Sequence, residues 1–158
     1  MGLCIIKSNK LEAFKEVENM VIDKQNWRMT DDNEIIKERC EEIRKLLSQS
    51  YWAKDRTIEV IKKSVEHSIC FAIFDRETDG MVAFARVVTD YTTVYYLCDV
   101  IVDEKYRGKG LGKMLVGWIT NQEDRLKGLH GILLTDDAQG LYSQFGFGEY
   151  KNSCMCIF

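Results

Sequence analysis

Several features common in proteins are missing or scarce in this sequence of 158 residues. Proline is absent altogether, for which the sequence offers no physical reason, and there are only two histidines. The six cysteines are scattered, with no CxxC pair among them. Zinc sites usually need such a pair or clustered histidines, so we predict no metal site. We also expect reduced thiols in a cytoplasmic protein rather than disulfides.

Two further absences concern binding partners. Lys and Arg number 22 against 25 Asp and Glu, which gives a net charge of −3 and no basic surface for nucleic acid. The longest apolar runs have the length of a strand, far short of a membrane span, and no secretory signal opens the chain. We therefore expect one domain over residues 1–158, with neither nucleic acid nor a membrane as partner.

Hydrophobic spacing divides the chain into helical and extended segments. Helical spacing occurs in residues 10–22, 34–48 and 110–126, and in a third helix that follows Arg56 and has Thr57 as its expected N-cap. Residues 1–30 are predicted to form an N-terminal helical extension, which is also a candidate arm for a homodimer. Short β-branched and aromatic runs predict an antiparallel meander of three strands at 69–75, 81–88 and 93–102. A buried strand at 131–135, a short helix at 138–146 and a strand-like tail follow, so the fold class is α+β.

The stretch YRGKGLGK, residues 106–113, connects the strand that ends near 102 to the helix that begins near 110. Glycines at a helix N-terminus let phosphate oxygens approach the unpaired backbone N–H groups. The spacing does not match a Walker A loop or a dinucleotide fingerprint, which place their glycines differently. A flexible helix start with solvated charges is the alternative interpretation of this stretch alone.

Two motifs together resemble the GNAT superfamily of N-acetyltransferases. Residues 107–112, RGKGLG, resemble the family's R/Q-x-x-G-x-G/A signature, and they follow a V-x-V strand end at 100–102. Residues 138–147, AQGLYSQFGF, resemble its second signature, A-x-x-L-Y-x-x-x-G-F. The resemblance covers roughly residues 34–150. It implies a central, mixed and mostly antiparallel twisted sheet of six to seven strands, flanked by helices on both faces.

The resemblance also implies acetyl-CoA as cosubstrate and assigns residues to it. The pyrophosphate is expected on the glycine stretch, and the pantetheine arm on the backbone of the preceding strand, which splays from residues 131–135. The implied cofactor-binding residues are Val100, Val102, Arg107, Gly108, Lys109, Gly110, Gly112 and Lys113.

For catalysis, Tyr142 matches the family's general acid at the CoA sulfur; packing under the sheet is its alternative role. Asp99 lies among apolar residues, where burial suits a general base, although a structural aspartate fits equally well. Many relatives have Glu-Asp where this chain has Cys98-Asp99, so a water chain is a further candidate for the base. A buried thiol is preferred over an acyl-bearing nucleophile for Cys98.

The acceptor site is implied to lie beside the second and third helices and the turn after residue 89. Its candidate residues are Trp52, Arg56, Arg86 and Asp90, with Tyr51 adjacent. Arg86 is placed on an otherwise apolar strand, which predicts an anionic partner: Asp90, Asp99 or a substrate carboxylate. The predicted function is transfer of an acetyl group to a primary amine of a small molecule or a peptide. The alternative is a non-catalytic acyl-CoA-binding module.

Overall fold

The computed structural model describes residues 26–149, apart from the side chain of Gln122. The five strands are β1 (Trp27–Thr30), β2 (Ile69–Asp75), β3 (Met81–Thr89), β4 (Val94–Val102) and β5 (His130–Ile132). The α-helices are α1 (Asn33–Lys37), α2 (Cys40–Leu47), α3 (Ile58–Glu66), α4 (Leu111–Gly117) and α5 (Gln139–Tyr142). A π-helical turn, Trp118–Gln122, extends α4, and short 3₁₀ turns occupy Glu104–Tyr106, Asp124–Leu126 and Ser143–Phe145.

The strands form one sheet in chain order, β1 to β5. The first four strands pair antiparallel with their neighbours, which confirms the predicted meander. The last pair, β4 and β5, is parallel. The sheet is therefore mixed and mostly antiparallel, as expected.

Both faces of the sheet are covered by apolar residues. The strand β2 is therefore buried along nearly its whole length. One face packs against α4 through Phe71, Ala85 and Leu115, and the other packs against α1, α2 and α3 through Ala72, Phe84 and Ile43. From Ala83 to Ala85, successive residues of β3 enter opposite clusters, as strand geometry requires. The sheet thus separates two hydrophobic cores, the compartment of α4 on one face and the compartment of α1, α2 and α3 on the other.

Local sequence explains where the helices on the second face begin. The carboxylate of Asp32 accepts the N–H groups of Glu34 and Ile35 at the start of α1. The hydroxyl of Thr57 accepts the N–H of Val60 at the start of α3, which confirms the predicted N-cap. The prediction of one continuous helix over 34–48 is wrong, because the chain turns between α1 and α2 at residues 38–39. Arg39 there binds the carboxylates of Glu42 and Asp79.

Three other expectations differ from the structure. The sheet has five strands within residues 26–149, not six to seven. Residues 27–30, assigned to the helical extension, form β1 because Trp27 and Met29 pack into the core beside β2. The predicted buried strand at 131–135 is paired only to Ile132, and Ile132 and Leu134 are largely exposed because β5 lies at the end of the described sheet.

Some predictions fall on residues that the structure does not describe. The helix at 10–22 and the strand-like tail beyond 149 are among them. No helix within residues 26–149 is long and apolar enough to cross a membrane.

Candidate functional site

A gap opens between β4 and β5 where their pairing stops. The parallel ladder joins only residues 94–96 to residues 130–132. Beyond it, residues 97–102 of β4 have no strand partner on that side within the described part of the chain. Apart from the Val102 carbonyl, which accepts from Arg107 Nε, the backbone groups on that edge could pair with an extended ligand.

A β-bulge interrupts β4 beside this gap. Arg86 pairs with Cys98 and Phe84 pairs with Ile101, so β4 has one residue more than β3 between these pairs. Asp99, within the bulge, has φ 55°, a left-handed conformation that is uncommon for a residue other than glycine. The extra residue puts the Asp99 carboxylate on the face of α2 and α3, beside Arg86.

The glycine stretch forms the turn between β4 and α4, and its conformation explains two of the glycines. Gly108 and Gly110 have φ 79° and 80°, a region that disfavours residues with a Cβ atom. Residues 106–113 line a pocket of about 650 Å³ together with Val102 and Leu141. The pocket therefore joins the end of β4 to the N-terminus of α4.

The first turn of α4 offers backbone donors to this pocket. Gly110 is the N-cap, and no side chain caps the N–H groups that follow it. The helical hydrogen bonds begin with the one from Met114 N to Gly110 O, at 3.0 Å. Unpaired N–H groups and the helix dipole attract anions. A diphosphate fits this cradle by its charge and by its acceptor oxygens.

Lysine and arginine side chains add positive charge around the pocket. The ammonium group of Lys109 lies 4.8 Å from the ring centre of Tyr106 and 5.8 Å from that of Trp27. The Tyr106 hydroxyl donates to Asp75 Oδ2 at 3.0 Å. Arg107 donates from Nε to the carbonyl of Val102 at 3.3 Å, which ties the loop to the end of β4.

Tyr142 lies in the compartment of α4, at the end of α5. The Thr135 hydroxyl accepts the N–H of Ala138 at 3.0 Å and so begins the turn that leads to α5. Tyr142 is 9% exposed, and its ring packs edge-to-face against Phe147 at 6.0 Å between centroids. Burial raises the pKa of Tyr142 to about 12, so its hydroxyl keeps its proton at neutral pH. That hydroxyl has no hydrogen-bond partner within residues 26–149.

Asp99 lies on the opposite face of the sheet, where it binds two arginines. Arg56 Nη1 donates to Asp99 Oδ2 at 2.7 Å, and Arg86 Nε donates to the same oxygen at 2.8 Å. Arg86 Nη1 also donates to the Ser68 hydroxyl at 3.0 Å. The anionic partner predicted for Arg86 is therefore Asp99, and two guanidinium cations stabilise the Asp99 carboxylate.

The remaining acceptor candidates, Trp52 and Asp90, take no part in these ion pairs. Trp52 is 43% exposed on the segment between α2 and α3 that also contains Arg56. Beside it, Tyr51 donates to Asp136 Oδ2 at 3.2 Å, which links this segment to the loop after β5. Asp90 forms the turn between β3 and β4, and its Oδ1 accepts the N–H of Thr93 at 2.8 Å. Its hydrogen bonds thus close its own turn.

Sequence reasoning missed several residues that shape the site. Trp27 and Leu141 lie beside the glycine stretch, Tyr106 within the stretch packs against Lys109, and Ser68 binds Arg86. Gln49 donates to Asp103 Oδ2 and accepts the N–H of Glu104, which fixes the turn just before the stretch. Of these residues, only Tyr106 and Leu141 could have been identified from the sequence, since Tyr106 lies in the glycine stretch and Leu141 lies in the second motif. Within residues 26–149 there is no group of three or more His, Cys, Asp or Glu side chains that could hold a metal ion.

Comparison with known proteins identifies the family. The family model described as Acetyltransferase (GNAT) domain matches residues 66–149, more than half of the chain. A crystal structure from Xanthomonas campestris pv. campestris, of a protein assigned to the GNAT family, is 35% identical and superposes with a TM-score of 0.75. That alignment covers 84% of this chain and 92% of the other.

Two further proteins show weaker similarity, one of them in fold alone. The glucosamine-6-phosphate N-acetyltransferase of Arabidopsis thaliana shares the fold, with a TM-score of 0.63 at 21% identity over 84% of this chain and 98% of its own. An "Uncharacterized N-acetyltransferase ycf52" from Gracilaria tenuistipitata var. liui is 28% identical over 67% of this chain. The chain spans 60% of the length of that curated relative. From the glycine stretch, the divided sheet and these matches we conclude that the chain belongs to the GNAT family of acetyltransferases.

Proposed function

We propose that this protein transfers the acetyl group of acetyl-CoA to a primary amine. The observation that carries the proposal is the gap between β4 and β5, which ends at the pocket of the glycine stretch. A long, bent ligand with a diphosphate at one end and a peptide-like arm at the other suits this combination. When bound, acetyl-CoA would supply an activated acyl group.

The chain's own groups would hold this ligand at three points. The N–H groups at the start of α4 would bind the diphosphate, with Lys109 and Lys113 beside them as point cations. The free edge of β4 near Val100 and Val102 would pair with the amides of the pantetheine arm. Backbone groups at the bulge, near Cys98 and Asp99, would then lie beside the thioester carbonyl and polarise it.

Tyr142 is the proposed general acid. Its hydroxyl is protonated at neutral pH because burial raises its pKa to about 12. It lies in the compartment of α4, next to Leu141, which lines the pocket. A proton delivered from this side would neutralise the departing thiolate.

The amine would approach from the other face, where Asp99 and Trp52 lie. Both arginines donate to Asp99 Oδ2 and hold this carboxylate in place, so we propose that a water molecule beside Asp99 takes the proton from the amine. In this arrangement Asp99 orients the base and the arginines rather than abstracting the proton directly.

Thermal unfolding with and without acetyl-CoA tests cofactor use, with NADH and ATP as controls. A ligand at about a hundred times its dissociation constant adds about 2.7 kcal/mol, or roughly 5–10 °C for a domain of this size. Stabilisation by acetyl-CoA alone, lost in Arg107→Glu, supports the proposal. No stabilisation by any CoA thioester would overturn it.

Amine-dependent thiol release separates an enzyme from a non-catalytic acyl-CoA-binding module. Tyr142→Phe should lower kcat by about 10²–10⁴-fold and leave acetyl-CoA affinity within a few-fold. Tyr95→Phe, at another largely buried tyrosine on the same face, is the matched control and should keep its kcat. Thiol release that does not depend on any amine would favour the binding module.

A further inference from the structure

The charges of the cluster Arg56, Arg86 and Asp99 do not balance. Two guanidinium cations meet one carboxylate, so the cluster has one positive charge in excess. The side chains are only 23%, 15% and 5% exposed for Arg56, Arg86 and Asp99. A partly buried charge without a counterion is costly, and it attracts an anion.

The cluster also has hydrogen-bond donors to spare. Each guanidinium has five N–H groups. Within residues 26–149, the Arg56 guanidinium donates only to Asp99, and the Arg86 guanidinium donates only to Asp99 and Ser68. No fully buried side-chain nitrogen or oxygen in this part of the protein lacks a partner, so the remaining guanidinium nitrogens are not sealed in the core. They are accessible to a ligand.

The two arginines are held in fixed positions for such a ligand. Both bind the same oxygen, Asp99 Oδ2, which brings their guanidinium groups side by side. The bulge that orients Asp99 lies at the free edge of β4, where the thioester would be held. An anionic group on the arginines would therefore lie close to the reacting centre.

From this geometry we infer that the acceptor is a primary amine that also carries an anionic group, a carboxylate or a phosphate, bound by Arg56 and Arg86. The inference rests on the proposed function and narrows its substrate class. Both guanidinium groups donate to the anion, and Arg56 contributes more of the free N–H groups, because Asp99 and Ser68 already occupy two donor atoms of Arg86. A polyamine or a lysine side chain with no anion nearby is disfavoured, since like charges repel.

Paired amines that differ only in the anion test this inference. Glycine is compared with glycinamide, and phosphoethanolamine with ethanolamine; putrescine represents the cationic amines. One anionic member should have a kcat/KM at least about tenfold above its neutral partner, which corresponds to the weaker charge-assisted hydrogen bonds. The two pairs distinguish carboxylate from phosphate.

Variants of Arg56 then assign the effect to this cluster. Arg56→Met should raise KM for the preferred anionic amine about 10–100-fold and change the neutral partner by no more than a few-fold. It leaves Arg86 paired with Asp99, so the fold should persist, as an unchanged response to acetyl-CoA in thermal unfolding would show. Arg56→Lys should recover part of the loss. Arg44→Met removes an exposed arginine of α2 and serves as the control.

If none of these amines is acetylated, a binding measurement tests whether the arginine cluster binds an anion. With CoA occupying the glycine stretch, millimolar phosphate should raise the Tm of the wild-type protein more than that of Arg56→Met, relative to chloride at equal ionic strength. An equal response of the two proteins, a preference for neutral or cationic amines, or an equal loss on both members of a pair would overturn the inference. Failure of acetyl-CoA to stabilise the protein would instead remove the proposed function.

Discussion

Cys98 and Asp99 are consecutive residues of β4, yet their side chains lie on the same face of the sheet. Cys98 pairs directly with Arg86, and Asp99 binds the Arg86 guanidinium at 2.8 Å. Strict alternation would send Asp99 into the compartment of α4. The bulge therefore puts the carboxylate and the thiol in one environment, with separate consequences for stability and for reactivity.

Asp99→Asn should destabilise the protein, because two partly buried arginines would lose their shared counterion. We expect a loss of about 3–5 kcal/mol in the free energy of unfolding, measured by urea denaturation. Asp79→Asn, at an exposed carboxylate that also binds two arginines, is the matched control and should cost less. Equal losses would show that burial of the Asp99 cluster contributes nothing.

The Asp99→Asn variant also tests which group acts as the general base. If a water molecule is the base, the acidic limb of the pH profile of kcat/KM should persist in folded Asp99→Asn at lower amplitude. Disappearance of that limb would identify Asp99 itself as the base.

Cys98 should be chemically inert. Burial raises the pKa of Cys98 to about 11 and that of Cys70 to about 12, so little thiolate exists at pH 8. We expect slow labelling by iodoacetamide in the native protein and full labelling after denaturation. Cys98→Ala should keep kcat within a few-fold, and detection of an acetylated Cys98 by mass spectrometry would contradict this.

Two glycines of the loop should respond differently to alanine. Gly110→Ala forces a Cβ atom into a left-handed conformation, at a cost of about 1–2 kcal/mol, and should weaken acetyl-CoA binding as the loop shifts. At Gly112 an added Cβ would lie 3.7 Å from Leu141 and 3.8 Å from Val102, which are ordinary contacts. Gly112→Ala should therefore unfold at nearly the wild-type urea concentration, and a larger loss there than at Gly110 would refute this account.

Tyr142 should make stability fall at alkaline pH. Its pKa is about 12 in the folded protein against 10.0 in the unfolded chain, so the folded state holds a proton that the unfolded state has lost between these values. The free energy of unfolding should thus decline as pH rises through this window, by at most about 2.7 kcal/mol. Tyr142→Phe should show a shallower decline in urea titrations, and no pH-dependent difference between the two should appear below pH 9.

The sequence predicted those parts of the fold and site that depend on local patterns. Short β-branched and aromatic runs identified β2, β3 and β4, and the two motifs identified the glycine loop and the helix that contains Tyr142. These features depend on neighbouring residues, so they can be recognised without the rest of the chain.

The missed features depend on contacts between distant residues. β1 has four residues and too little pattern for recognition, and it forms because β2 offers it an edge. At the turn of residues 38–39, the guanidinium of Arg39 donates to the carboxylate of Asp79, which lies 40 residues further along the chain. The pairing of Arg56 with Asp99 required the bulge, which only the register of β3 and β4 reveals.

The short ladder between β4 and β5 has a consequence for the ligand-free protein. Residues 97–102 of β4 present an unpaired strand edge inside the described sheet, and such edges recruit strands from other molecules. A cosubstrate that pairs with this edge would protect it, so solubility should depend on CoA supply as well as on thermal stability. The gap proposed for the pantetheine arm is, in the absence of CoA, the position where self-association would begin.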